Sequence, residues 1–342
     1  MNPVNSWREL FWEIIITGFL FCVVDFMNAS AIREEHDLLV KYRSSFNNSV
    51  FEGASSMMEE DVKVFCIILT SKTNINQKAI YQKNTWLKRC SNYIFSSGEE
   101  DEKTNTIKTC DSNLHDDSFC KAKNTFKYVW KKYGSKYDWY AKFDDETYVI
   151  MENLRGYLIN RNPNDPKFYG QRMNIPSDEF LESMNYKNIG SGYLMSRSAM
   201  KLLVEKGFKD KCKNIPQSPD YVAVGKCFEN LGITKSRTFE SSTKYPFYPF
   251  TVPTTFNPLS SVNKNNIKSD DDEESISDFP IAFNFISPQM MYAMEYFLYK
   301  IEVLGQKSRL DRMIDSDSKK TKEKVYKRYD LIKAFSKFNF IN

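Results

Sequence analysis

Histidine is almost missing from this chain: 342 residues hold two, His36 and His115. Together with cysteine spacings that fit no zinc pattern, this excludes a histidine-rich or zinc-finger metal centre. A surplus of one charge sign is missing too. The formal net charge is only +4, too small and too scattered for a nucleic-acid partner. The chain also lacks a clean membrane-length apolar run. Leu10–Met27 has the length of a span, but Glu13 and Asp25 interrupt it and leave Ile14–Val24 free of charge.

That N-terminal segment is read as a signal anchor over residues 10–27, behind a short cytoplasmic tail (1–9), in a single-pass type II orientation. A cleaved signal peptide, with the small residues of "NASA" at 28–31 as its cleavage site, and a buried helix are the alternatives. Arg8 is the only basic residue before it, so flanking charge specifies orientation weakly. Residues 28–60 are polar and read as an irregular stem. The sequons Asn28-Ala-Ser and Asn47-Asn-Ser fit a lumenal route.

Seven cysteines are present. Cys22 lies in the apolar segment. The even remainder (Cys66, Cys90, Cys110, Cys120, Cys212 and Cys227) suits disulfides in an oxidising compartment. Six cysteines allow fifteen pairings. Of these, Cys66–Cys90 and Cys110–Cys120 are taken as working pairs, and Cys212–Cys227 would close a short loop.

From residue 61 onward the pattern is that of a folded domain, with an aromatic content of 15%. Val62–Leu69 is a β-branched and apolar run broken only by Lys63, as expected of a strand covered on both faces. "NQKAIYQKNTWLKRC" reads as a helix and "SNYIFSS" as a strand. Residues 98–118 read as an acidic loop. "FCKAKNTFKYVWKKYG" reads as a helix stopped at Gly134, "YDWYAKF" as a strand, and "VIMENLRGYLIN" as a helix. Alternation of this kind predicts an α/β domain with a mixed, mainly parallel sheet flanked by helices. It spans 61–305, with a polar, mobile insertion at 258–278 and a basic C-terminal tail at 306–342. Trp86, Trp130 and Trp139 read as core.

The strand "YDWYAKF" runs straight into Asp144, Asp145 and Glu146. Ligands of α/β sheets bind beyond the carboxyl ends of strands. Adjacent carboxylates raise one another's pKa unless a cation is near, and their oxygens are hard ligands that suit Mg²⁺ or Mn²⁺ bridging a diphosphate. A surface turn opening a helix is the plainer alternative.

"NTWLKRC", "YDWYAKFDDETYVIMENLRGYL", "FYGQRM", "GSGYLMSRSAMKLL" and "VGKCFENLGI" occur in this order. Together they resemble the core 1 β1,3-galactosyltransferase family, over about residues 62–305. The resemblance implies a GT-A-like fold and a type II membrane protein of the Golgi or endoplasmic reticulum. It implies inverting transfer of galactose from UDP-galactose to the 3-OH of O-linked GalNAc on a glycoprotein acceptor, with Mn²⁺ as cofactor. It further implies a homodimer or pairing with a related transferase.

Carried over residue by residue, the family's acidic triplet falls on Asp144, Asp145 and Glu146. Asp144 and Glu146 would be the metal pair, with Glu146 the direct ligand. Asp144 and Asp145 would face the nucleotide sugar. The Gly-rich segment places Gly190 and Gly192 beside donor and acceptor, although Ile189 stands where a further glycine is usual. The family's acidic pair before G-x-C falls on Asp220 and Tyr221, so the usual base position holds a phenol; Asp220 substitutes as base if the loop shifts by one residue, and the plainer alternative is that it caps the helix that follows Pro219. The metal-ligating histidine falls on Asn284. "KYPFYPFTVP" resembles a donor-side segment, which makes Tyr245, Phe247 and Tyr248 candidates for the sugar pocket. Asn284 and the run "FNFISPQMMYAMEYFLYKI" also resemble a non-catalytic relative, the endoplasmic reticulum chaperone of the core 1 enzyme.

Overall fold

The computed structural model describes residues 48–111, 117–170, 192–215, 219–233, 246–256, 277–301, 329–334 and 336–337. The anchor segment, the stem up to residue 47, residues 258–276 of the insertion and most of the C-terminal tail lie outside the described residues. Among those described, no helix is long and apolar enough to cross a membrane.

The main sheet has six strands in the order β3-β2-β1-β4-β7-β6. They are β1 (Val64–Leu69), β2 (Asn92–Ser97), β3 (Thr106–Lys108), β4 (Trp139–Asp144), β6 (Phe168–Gly170) and β7 (Tyr193–Ser196). β1, β2, β3 and β4 run parallel, and β7 is the one reversed strand of this sheet, pairing antiparallel with β4 on one side and β6 on the other. The expected mixed, mainly parallel sheet is therefore present.

β1 shows why a wholly apolar strand sits at the centre. Side chains alternate faces along a strand. Val64, Cys66 and Ile68 enter one core with Trp86, Trp139 and Phe143. Phe65, Ile67 and Leu69 enter the other with Phe126, Val129 and Met200. Helices cover both faces. α1 (Asn48–Asp61) precedes β1, and α2 spans residues 72–84 with a wider π turn at Ile75–Ala79. α3 is Ser118–Tyr133, α4 Met151–Leu158, α5 residues 197–211 and α6 Asp220–Asn230. α3 ends at Gly134, whose φ of +51° a side-chain-bearing residue rarely adopts.

A small sheet in the order β5-β9-β8 joins distant parts of the chain: Tyr148–Val149, Ala282–Phe283 and Phe247–Tyr248. Its register sets Tyr148 opposite Phe283. Pro288–Tyr299 forms α8, following the short α7 (Val252–Phe256).

Four local readings change. Residues 48–60, read as irregular stem, are helical, and Ala54 and Met58 of that helix are buried. The helix expected over residues 76–90 gives way after Asn84 to a 3-10 turn at Trp86–Arg89. The acidic loop at 98–118 contains β3, a short edge strand. Trp86 and Trp139 are core, whereas Trp130 is only half-buried and donates to Glu205 Oε1 at 2.9 Å. The three working disulfides are all formed: Cys66–Cys90, Cys110–Cys120 and Cys212–Cys227. The first ties the central strand to the 3-10 turn after α2, and the third ties the end of α5 to α6.

Candidate active site

β1 and β4 end side by side, with Leu69 in register with Asp144. The acidic triplet is therefore the turn that leaves the carboxyl end of the two central strands. Thr147 N–H donates to the Asp144 carbonyl at 3.0 Å and closes that turn. Gln82 on α2 holds it from the side. Its Nε2 donates to the carbonyls of Asp144 (2.8 Å) and Thr147 (2.7 Å).

Each acid has its own partner. Lys142 sits two residues before Asp144 on the same strand face, and its Nζ donates to Asp144 Oδ1 at 2.6 Å. Thr70, just past β1, donates its hydroxyl to Asp145 Oδ2 at 2.7 Å. Lys78 on α2 pairs with Glu146 Oε1. Lys121 on α3 donates to the Thr70 carbonyl at 3.2 Å, close enough to Asp145 to act on it electrostatically. Burial pushes the Asp144 carboxyl up; Lys142 opposes this and Asp220 adds to it. Burial likewise pushes Asp145 up, against the hydroxyl of Thr70 and the charge of Lys78. Burial also works against the charge on Lys142, but Asp144 and Asp220 outweigh it and the ammonium is held charged.

Asp220 is the first helical residue of α6, following Pro219. Its carboxylate points inward instead of capping the helix. Lys142 Nζ lies 3.1 Å from Oδ1, and the Tyr193 hydroxyl donates to Oδ2 at 2.9 Å. Asp220 is 1% exposed, while Tyr221 beside it is half-buried. β4, β7 and α6 thus converge on a buried Asp144–Lys142–Asp220–Tyr193 network. Gly192 enters it at φ +98°, where a Cβ would overlap Phe143 Cδ1 and lie 2.6 Å from the Lys142 carbonyl. This glycine serves the close approach of β7 to β4.

Asn284 follows β9 and is 2% exposed. Its N–H donates to the Tyr248 carbonyl at 3.0 Å, and its Oδ1 accepts from the Thr147 hydroxyl at 3.2 Å. Ile286 N–H donates to the Glu146 carbonyl at 2.8 Å, so the segment after β9 is fastened to the acidic turn. Phe247 and Tyr248 are 1% exposed, and Tyr248 stacks on Phe283 with ring centroids 5.1 Å apart. They are core residues of the small sheet, not the lining of an open sugar pocket. Gly190 and Tyr245 lie outside the described residues.

The structure thus gathers Asp144, Asp145, Glu146, Gly192, Asp220 and Asn284 around the end of β4. Among the described residues no group of three or more His, Cys, Asp or Glu side chains converges as a metal cluster. As donors, Asp144 and Glu146 fit a hard divalent cation: each is an oxygen ligand with one oxygen outside its lysine contact. The Asn284 oxygen is already committed to Thr147. The residues that sequence reasoning missed are Lys78, Gln82, Lys142 and Tyr193. Lys142 carried a signal, the two-residue spacing that puts it on the face of Asp144. The other three reach the site from other elements, Lys78 and Gln82 from α2 and Tyr193 from β7.

The chain matches the family described as Fringe-like over residues 59–268. It is 31% identical over 274 residues to glycoprotein-N-acetylgalactosamine 3-beta-galactosyltransferase 1 of Xenopus laevis, covering 78% of this chain and 74% of the relative. A shorter likeness, 26% over 129 residues, links it to chondroitin sulfate synthase 3 of Mus musculus, covering 35% of this chain and 14% of that protein. Among solved structures it is similar to galactosyltransferase LgtC in complex with donor and acceptor sugar analogs. There the TM-score is 0.32 at 9% identity, covering 73% of this chain and 99% of that one.

Proposed function

Because the chain belongs to the Fringe-like, core 1 β1,3-galactosyltransferase family, we propose that it transfers galactose from UDP-galactose to the 3-hydroxyl of O-linked GalNAc on glycoproteins. It works with inversion, in a GT-A-like domain held in the lumen of the Golgi or endoplasmic reticulum by a type II anchor. The observation that carries this reading is the placement of Asp144, Asp145 and Glu146 at the shared carboxyl end of β1 and β4, where α/β sheets take nucleotide ligands.

Inverting transfer is a single displacement. The acceptor hydroxyl loses its proton as it attacks the anomeric carbon, and the nucleoside diphosphate leaves from the opposite face. Asp144 and Glu146 would hold Mn²⁺, which when bound supplies charge to the leaving diphosphate. Asp220 is the carboxylate offered to the acceptor proton. Its oxygens are engaged by Lys142 and Tyr193. Oδ1 keeps a further lone pair beyond its Lys142 contact, on which that proton would be accepted. Gly192 lets β7 lie against β4 beside the reacting groups.

A second reading is favoured by one observation: Asp220 and Asn284 are both buried and internally bonded. It makes the chain a non-catalytic relative that assists the folding of a core 1 transferase. One experiment separates the two. Full-length protein in detergent is given UDP-galactose, a GalNAc-peptide and Mn²⁺, beside Asp144→Asn and Glu146→Gln. The transferase reading requires turnover that falls at least about a hundredfold in either variant. Absence of transfer, with increased recovery of an active core 1 transferase on co-expression, establishes the second reading instead.

A further inference from the structure

Lys78 stands where a bound cation would serve the acids. It reaches Glu146 from α2, and Gln82, one turn further along that helix, is bonded to both ends of the acidic turn. The helix cannot shift without breaking those bonds, so the ammonium is delivered to Glu146 by the fold. The two site lysines differ in one respect. Lys142 has a side chain 4% exposed and is clasped by Asp144 and Asp220. The Lys78–Glu146 pair is open to solvent, with side chains 28% and 33% exposed. Solvent-open ion pairs are weak and readily exchanged.

Charge makes an exchange useful. Asp144, Asp145, Glu146 and Asp220 outnumber Lys78, Lys121 and Lys142 by one. An incoming diphosphate would thus meet a site that is already net negative.

We propose that Lys78 is an exchangeable counter-ion: Glu146 passes from Lys78 to the divalent cation, and the released ammonium bonds the diphosphate of the nucleotide. Resting on the transferase reading, this makes cation and nucleotide bind cooperatively. Each takes one half of a pair that neither can split without cost alone, and the coupling is reciprocal. Lys78 is then a ligand-binding residue with opposite effects on the two ligands. It competes with the cation and assists the nucleotide.

The test is calorimetry on full-length protein with Mn²⁺ alone, and with UDP at saturating Mn²⁺. Lys78→Met is compared with the parent and with Lys72→Met, which removes an exposed lysine of the same helix whose partner is Glu99 and not one of the acids. In Lys78→Met, Mn²⁺ alone binds about two- to fivefold tighter, the affinity released by freeing Glu146. UDP binds about tenfold weaker or worse, the loss of one charge-assisted bond. Lys72→Met matches the parent in both, and Lys78→Arg retains most of the UDP affinity. If the parent binds both ligands while Lys78→Met leaves Mn²⁺ affinity unchanged or weaker, the exchange is refuted and the transferase reading stands. If the parent binds neither Mn²⁺ nor UDP, the transferase reading fails and the exchange with it.

Discussion

Lys142 on β4 and Asp220 at the start of α6 form a buried ion pair, with Nζ 3.0 Å from Oδ2, and the same ammonium lies 2.6 Å from Asp144 Oδ1. One lysine thus bridges a carboxylate from each of two elements that meet at the site. Taking the ammonium away leaves both acids buried without it. Lys142→Met should therefore cost about 3–5 kcal/mol of unfolding free energy, read as a lowered urea midpoint. Adding Asp220→Leu removes one stranded charge and should recover part of the loss. A Lys142→Met protein as stable as the parent would mean that the network contributes nothing to the fold.

Gly192 is constrained from two directions. Its φ is +98°, and the space for a Cβ is filled by the Phe143 ring and the Lys142 carbonyl. Backbone strain and overlap in a packed site each cost roughly 1–3 kcal/mol. Gly192→Ala should thus lose about 2–5 kcal/mol, with UDP affinity falling because Lys142 is displaced. A variant with parental stability would show that β7 can move away from β4 freely.

The central strands could be read directly because their residues leave no other choice. All six positions of β1 are apolar and buried, and Gly134 stops α3 where expected. The acids could be read because they interrupt an aromatic strand at its end. What escaped the sequence was the set of partners. Lys78, Gln82 and Tyr193 reach the site from α2 and β7, and no local pattern announces a contact between elements. Asp220 was ambiguous for a related reason. An acid after proline at a helix start ordinarily caps the helix, and only the arrival of Lys142 from β4 draws it inward. β3 was hidden by its brevity, and α1 by a composition too polar to mark a buried face. Phe247 looked like a pocket residue because aromatics line sugar sites, whereas the small sheet needed it as core.

Buried phenols set a limit on the alkaline side. Burial pushes Tyr140, Tyr148, Tyr157 and Tyr193 above the ordinary phenol pKa, with Asp220 adding to the effect at Tyr193 and Glu295 at Tyr148. In the folded chain they keep protons that an unfolded chain gives up near pH 10. Their contribution is complete below about pH 10 and is lost as the pH rises beyond it. The slope is about 1.4 kcal/mol per pH unit for each phenol. Urea midpoints should be nearly level from pH 8 to 9.5 and fall steeply by pH 11, less so in Tyr148→Phe. A level profile through pH 11 would mean that these phenols ionise without unfolding.

Asn284 invites the substitution the family resemblance suggests, a return to histidine as metal ligand. The surroundings argue that histidine alone will not suffice. Thr147 donates its hydroxyl to the Asn284 oxygen. An imidazole placed there would accept that bond on one nitrogen. A neutral imidazole with one nitrogen accepting carries its proton on the other, and a protonated nitrogen cannot ligate a metal. Asn284→His should thus leave Mn²⁺ affinity within about threefold of the parent, less than 1 kcal/mol. Asn284→His with Thr147→Val removes the donor and frees the tautomer. That double variant should bind Mn²⁺ about tenfold tighter or better, the order of gain expected when a metal site acquires an imidazole. Manganese titration followed by electron paramagnetic resonance reads both. Tight binding by the single variant would mean that Thr147 turns away readily, and no gain in the double variant would place residue 284 out of reach of the ion proposed to bind at Asp144 and Glu146.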